Sequence, residues 1–212
     1  MTAPPPVPPT VPPTAPRGRL LDAALAVLAD DGVEGLTLRA IARRANVSHG
    51  APLKHFPHRA ALLSAVATTG FRELTAQGLQ EVARCPADAS AAQRLRACAR
   101  AYVAYALAHP AMFHLMFRHD LLDPTDRELS RVSLSTFDGG MAARVREAQK
   151  EGWRQGDDTR LLTGALWSGL HGLAQLWMWG SLPLATGADD VDDALEALLR
   201  ALGLNDVSPE GH

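Results

Sequence analysis

The sequence predicts an all-α fold in two parts: a small three-helix head, linked by a fourth helix to a larger helical body. Three observations predict it. Apolar residues recur at helical spacing, with no alternating strand pattern and no internal repeat. Prolines and short Gly/Asp clusters punctuate most of these runs. The 212 residues are 47% hydrophobic but only 5% aromatic, which fits an Ala- and Leu-rich helical chain with one large core or two modest ones.

The elements follow in chain order. Residues 1–16 hold eight prolines and no charged side chain, so a disordered or polyproline-like arm is expected there. The arm lacks the charged and apolar regions of a signal peptide. A first helix over about 17–30 carries the stripe Leu21, Ala24, Leu25 and Leu28, and Gly32 stops it. Thr37 is a good N-cap for a second helix, whose apolar face is Leu38, Ile41, Ala42 and Ala45. Arg39, Arg43 and Arg44 fall off that face and can reach water or an anion. Asn46 stands at the turn, where a left-handed residue is needed and Asn is the cheapest after Gly. Val47 returns to the core.

Ser48 is placed to cap a third helix over 49–56. That helix is oddly written. Gly50, Ala51 and Pro52 make a small-residue surface near its start, although Gly is a poor helix former and Pro is tolerated only in the first turn. Such a helix suits close approach to another surface. Lys54 and His55 add donors, Phe56 returns to the core, and Pro57 ends the helix. A fourth helix over about 58–84 packs Leu62, Leu63 and Val66 on the head. Its second half gives Phe71, Leu74, Leu79 and Val82 to the body.

In the body, Pro86 precedes a helix over about 90–108, and Pro110 and Pro124 bracket a short apolar helix. A long helix to about residue 153 follows, then a turn and cap at Gly156, Asp157 and Asp158. The next helix covers about 159–179, ended by Pro183 and Gly187, and the last covers about 189–202. A frayed tail is expected over 205–212. Residues 161–188 carry no formal charge apart from any on His171. Their Gly, Ser, Gln and His content argues for a helix buried on several sides, against a partner subunit as well as its own core, rather than a membrane span.

Net charge is −2 but uneven. Residues 17–59 hold seven Lys/Arg against four acids, a net +3, which leaves −5 for the rest. A basic head on an acidic body suggests nucleic acid for the head and another task for the body. Cys85 and Cys98 form neither a zinc pattern nor a disulfide framework, and free thiols in a reducing cytosol are expected. His109, His114 and His119 are spaced so that successive rings point apart on a helix. No HExxH, Gly-x-Ser-x-Gly or phosphate loop occurs, so neither an enzyme, a metal nor a cofactor is expected.

The order TLRAIARRANVSHGAPLKHF, some 20 residues after RGRLLDAALAVLADDG, resembles the N-terminal domain of TetR/AcrR-type transcriptional regulators over about 17–63. Two positions depart from the family pattern. Asn46 stands where Gly is usual, and Leu53 stands where a phosphate-touching Tyr is usual. The stretch 166–173, with Trp167 and the His171-Gly172 pair, resembles the Trp…His-Gly signature of one TetR C-terminal subfamily. The resemblance implies a helix-turn-helix domain over 17–63 and a helical ligand-binding and dimerisation domain over 64–204. It implies a cytoplasmic homodimer that binds a pseudo-palindromic double-stranded DNA operator and a small-molecule effector, with no membrane partner. The DNA contacts expected are Thr37, Arg39, Arg44, Ser48, His49, Gly50, Ala51, Leu53, Lys54, His55 and Arg59. In the body, Phe113, Met116, Phe117, Trp167, His171 and Gln175 are candidates for a ligand pocket; plain core is the competing reading of the Met/Phe run and of His171. A small-molecule sequestering protein with a degenerate head is the alternative function.

Overall fold

A computed structural model of the chain describes residues 16–205. The first fifteen residues of the Pro-rich arm and residues 206–212 of the tail lie outside the described residues. The described residues are helical, in the order α1 (Pro16–Gly35), α2 (Leu38–Arg44), a 3₁₀ turn (Pro52–Lys54), α3 (Arg59–Ala83), α4 (Ala91–Ala108), α5 (Pro110–Met116), α6 (Arg127–Ser135), a π segment (Thr136–Met141), α7 (Ala142–Lys150), α8 (Thr159–Met178), α9 (Ser181–Thr186) and α10 (Val191–Ala201).

Side-chain caps set most starts. Thr37 Oγ1 accepts from Ala40 N–H at 3.1 Å, and His58 Nδ1 accepts from Ala61 N–H at 3.1 Å. Ser90 and Gln93 form a reciprocal capping box, Asp126 and Asp158 each accept two first-turn N–H groups, and Asp190 accepts one. Each cap satisfies donors that the helix itself leaves orphaned. Gly32, at φ 67°, breaks the first helical run inside α1. Its buried stripe is centred on Leu20, Ala23, Ala24, Val27 and Leu28, slightly rotated from the expected one. Asn46 has φ 52°, the left-handed turn residue that the sequence calls for.

Four expectations need correction. The third helix over 49–56 is a run of turns around one 3₁₀ turn, held by Ala51 N–H to Ser48 O, Lys54 N–H to Ala51 O and His55 N–H to Pro52 O. Pro52 has no N–H to extend an α ladder, and its ring is buried rather than part of an outward small-residue surface. Ser48 serves through its carbonyl, not as a side-chain cap. The long helix to residue 153 is interrupted by the π segment, which holds Gly139 and Gly140. The helix over 159–179 ends at the left-handed Gly180, and Pro183 lies inside the separate α9, closed by the left-handed Gly187. In the single chain Leu161 at the start of α8 is 77% exposed and Trp179 just after its end 65%.

α3 is the axis of the molecule. Its N-terminal half packs on α1, and along its length it meets α4, α5, α6 and the π segment. α5 seats on it at Gly70, where a Cβ would come within 2.6 Å of Met112 Sδ and 2.7 Å of Met116 Sδ. α8 packs on α4, α7 and α10, and Leu198 Cδ1 would lie 3.1 Å from a Cβ at Gly169. One apolar core runs from Leu20 and Phe56 to Leu199. Its far end is clamped by Arg96, which is 1% exposed and donates to Leu204 O and the Glu196 carboxylate.

Candidate nucleic-acid interface and body cavity

The outward surface of the head is made by α2, the Asn46 turn and the 49–55 turns. Thr37, Arg39, Arg44, Ser48, His49, Gly50, Leu53, Lys54 and His55 are exposed, and Ala51 is half-buried. Leu53 is 53% exposed, an apolar side chain held in solvent beside the cation of Lys54. Arg44 pairs with Asp30. Arg39, Arg43 and Lys54 have no carboxylate partner among the described residues. Arg43 is outside the expected contact set, yet it is exposed at the end of α2 and equally free to meet an anion. A Cβ at Gly50 would meet nothing within 4 Å, so no packing inside the chain requires Gly there.

Arg59 departs from its expected role. Its guanidinium turns inward, with Nε donating to Leu36 O at 2.7 Å and Nη2 to Val33 O at 3.2 Å. It ties the loop after α1 to the start of α3 and is thereby withdrawn from the outward surface.

In the body, a cavity of about 600 Å³ opens between the second half of α3, α4, the π segment, α7 and the start of α8. Phe71, Leu74, Gly78, Leu79 and Val82 form the α3 wall, and Ser135, Thr136, Phe137, Gly139, Gly140 and Met141 form the opposite one. A π segment carries an extra residue per turn and often marks a functional site. Here it opens the α6–α7 wall. Of the residues expected in a pocket, Phe117 and Trp167 line this cavity. Phe113 and Met116 are core, both 0% exposed. His171 and Gln175 lie behind the lining. Trp167 Nε1–H donates to Tyr102 Oη at 2.9 Å, and the Tyr102 hydroxyl shares a hydrogen bond with His171 Nδ1 at 3.0 Å. Burial, and then the nearby His114, hold His171 below the ordinary histidine range, which favours the neutral ring. His114 Nε2–H donates to Gln175 Oε1 at 3.1 Å. These groups are bonded to one another rather than aimed into the cavity.

Sequence reasoning missed the α3 wall as a pocket surface, and missed Cys98, Tyr102, Phe137, Arg144 and Arg160, which also line it. The adjacent Gly139-Gly140 pair within a helical run was the available signal. Burial pushes the Cys98 thiol up to about 11 despite the nearby Arg144, so it is a neutral thiol. Among the described residues, no group of three His, Cys, Asp or Glu could hold a metal ion.

Head and body touch through the loop after α5. Asp123 N–H donates to Ser64 Oγ at 2.9 Å, and Asp123 Oδ2 lies 3.5 Å from His58 Nε2. Hydrogen bonds from Thr125, with His58 adding to them, hold the Asp123 carboxyl below its usual range. Elsewhere in the body, α8, α9 and α10 enclose an open groove of about 560 Å³, lined by Ser168, Gly169, Gly172, Leu176, Leu182 and Ala197 among others. Leu184 beside it is 89% exposed. Among the described residues no helix is long and apolar enough to cross a membrane.

Two family models match the chain. One describes bacterial regulatory proteins of the tetR family and covers residues 20–66; the other describes a tetracyclin repressor-like C-terminal domain and covers residues 95–202. The chain is 33% identical over 72 residues to the HTH-type transcriptional repressor KstR of Rhodococcus jostii (strain RHA1). That match spans 34% of each chain, about a third of the repressor's length. Among solved structures, a protein with unknown function from Rhodococcus sp. RHA1 is 33% identical, with 91% of this chain and 97% of that one covered and a TM-score of 0.77. A TetR family transcription regulator from Marinobacter aquaeolei VT8 shares the fold at 19% identity, with 89% and 94% covered and a TM-score of 0.64.

Proposed function

This chain belongs to the TetR family of bacterial regulatory proteins and is a DNA-binding transcriptional regulator rather than an enzyme; we propose that it is a ligand-responsive repressor that holds a pseudo-palindromic operator as a homodimer. The single observation that carries the ligand response is the course of α3. Its first residue, Arg59, braces the head, and Phe71 to Val82 of the same helix wall the cavity. A helix of 25 residues is roughly 37 Å long and stiff, so a ligand pressing its far half displaces its near half. A ligand that binds one arrangement better shifts the population towards it.

Dimerisation is supported by the apolar face around α8 and α10, where Gly172 leaves open space for a partner helix and Leu176, Trp179 and Leu184 stand exposed. Two heads so joined address successive major grooves about 34–36 Å apart. The outward set Thr37, Arg39, Arg43, Ser48, His49, Gly50, Leu53, Lys54 and His55 is the proposed DNA surface, with Arg59 as its brace. Repression is favoured by the repressor from Rhodococcus jostii matched above.

The test is a gel shift with the DNA upstream of the protein's own gene, at several salt concentrations, with the mass in solution measured in parallel. Specific, salt-sensitive binding by a dimer is expected. Absence of DNA binding by a folded dimer favours the sequestering alternative, and a monomer at micromolar concentration rules out the proposed assembly.

A further inference from the structure

The cavity lining has two chemically different parts. Trp167, about two turns beyond Arg160 along α8, joins Phe117 and Tyr102 as the aromatic part. The indole N–H and the phenol oxygen there are already engaged with each other and with His171, so these rings meet a ligand chiefly through carbon. The remaining lining carries two guanidinium groups, Arg144 and Arg160, and no Asp or Glu. Arg160 is exposed and has no hydrogen-bond or ion-pair partner for its guanidinium among the described residues. Its backbone N–H is held by the Asp158 carboxylate at 2.9 Å, so the helix end is already capped and the free donor is the side chain. Arg144 gives one nitrogen to Glu147 at 2.8 Å, while a guanidinium has five N–H donors in a planar fork. Its charge reaches the cavity interior, where it acts against the burial of Cys98. That thiol, neutral at physiological pH, does not compete for the arginines.

We infer that the cavity takes an amphipathic organic anion, with its apolar body against Phe117 and Trp167 and its carboxylate at Arg144 and Arg160. A carboxylate can take charge-assisted hydrogen bonds from Arg160 and from the Arg144 donors that Glu147 leaves over, whereas an alcohol offers only a neutral acceptor and a cation meets the like charge of both side chains. The volume, about 600 Å³, lies within the range of roughly 300–1,000 Å³ that holds a drug-sized molecule. The inference rests on the reading of this cavity as the effector site.

The experiment titrates the full chain calorimetrically with dodecanoate, dodecan-1-ol and dodecylammonium, which share one apolar body and differ in the head group. 2-Naphthoate and 2-naphthol repeat the comparison on a rigid ring body and separate chain-like from ring-like ligands. Within at least one body, the carboxylate is expected to bind roughly tenfold or more tightly than its alcohol, the difference made by hydrogen bonds to a charged group. Arg160→Gln and Arg144→Gln should erase most of that preference and leave alcohol binding unchanged. Both side chains are partly exposed, so both variants are expected to fold, and circular dichroism checks this. The inference is overturned if alcohol and carboxylate bind alike, if the ammonium binds best, if no probe binds, or if the double variant keeps the preference. Release of upstream DNA is read on the same samples. Carboxylate binding that needs the arginines but releases no DNA upholds the ligand class and sinks the effector reading. DNA release by the alcohol or the ammonium alone does the reverse.

Discussion

Head and body each anchor an arginine on a carbonyl distant in sequence, and the two arginines sit in different surroundings. In the head, Arg59 is half-buried and donates to two neutral carbonyls, Leu36 O and Val33 O. In the body, Arg96 is 1% exposed and donates to Leu204 O and to Glu196, whose other oxygen takes Arg100 at 2.9 Å. Loss of Arg59 returns two carbonyls to nearby water. Loss of Glu196 leaves a guanidinium in a low-dielectric interior with its countercharge gone. In the head, Arg39, Arg43 and Lys54 stand exposed with no carboxylate partner among the described residues, while Arg44 pairs with Asp30. The body turns charge inward to join α4 to α10, leaving its cavity on the far side of α4 to be shaped by apolar walls.

The sharpest way to break this comparison is Glu196→Ala. It should cost about 3 kcal/mol by stranding Arg96, lowering Tm by roughly 6–12 °C in a chain of this size. The double change Arg96→Met with Glu196→Leu should recover most of that, because well-packed apolar residues often match a buried ion pair. A double variant melting as low as the single one shows that shape, not charge, is what the clamp supplies. Burial works to raise the Glu196 carboxyl, but the hydrogen bonds from Arg100 and Arg96 prevail and hold it below the usual 4.5. The folded state therefore binds fewer protons than the unfolded one. The clamp is fully present above the ordinary glutamate range and is lost as pH falls through the lowered value. The stability gap between wild type and Glu196→Gln should narrow in acid and not in base.

Arg59→Ala should cost less, about 2 kcal/mol, since each lost bond joins a charged donor to a neutral acceptor close to water. Urea denaturation monitored at the head measures it. A loss equal to that of Glu196→Ala erases the distinction between the two regions.

Smaller effects sharpen the view of the head's outward face. Leu53→Tyr adds a donor where an exposed leucine now stands and should strengthen DNA binding by at most about 1.5–3 kcal/mol, equally for specific and unrelated DNA. The slope of log affinity against log salt should stay nearly constant, because a neutral hydroxyl releases no counterion. Lys54→Ala should weaken binding and flatten that slope by roughly 0.9. A salt series on both variants is the measurement, and no change in either removes the 49–55 turns from the DNA surface. The smallest change expected is Asn46→Gly, a gain of up to about 1 kcal/mol at φ 52°, with a clear loss for Asn46→Val. Equal melting of those two variants contradicts a strained left-handed residue.

Much of this was written locally in the chain. Thr37 and Asp158 sit where short-range hydrogen bonds to the next turn decide a helix start, so their caps were legible from spacing alone. Asn46 between two apolar runs was legible for the same reason, and the basic excess of residues 17–59 needed only counting. What the sequence did not decide is which way a side chain turns once distant segments meet. Arg59 reads as an outward cation until the carbonyls of Val33 and Leu36 arrive beside it. Phe113 and Phe117 share one apolar run, yet the packing of α5 on α3 at Gly70 buries the first and leaves the second on the cavity. His171 acquires its partner from Tyr102, 69 residues earlier. The π segment at Thr136–Met141 meets α3 through Thr75 Oγ1, 2.8 Å from Thr136 Oγ1, a contact between residues 61 apart in the chain. Caps and turns depend on neighbours within four residues, which a sequence lists in order. The direction of a guanidinium and the walls of a cavity depend on groups that only the packed chain brings within reach.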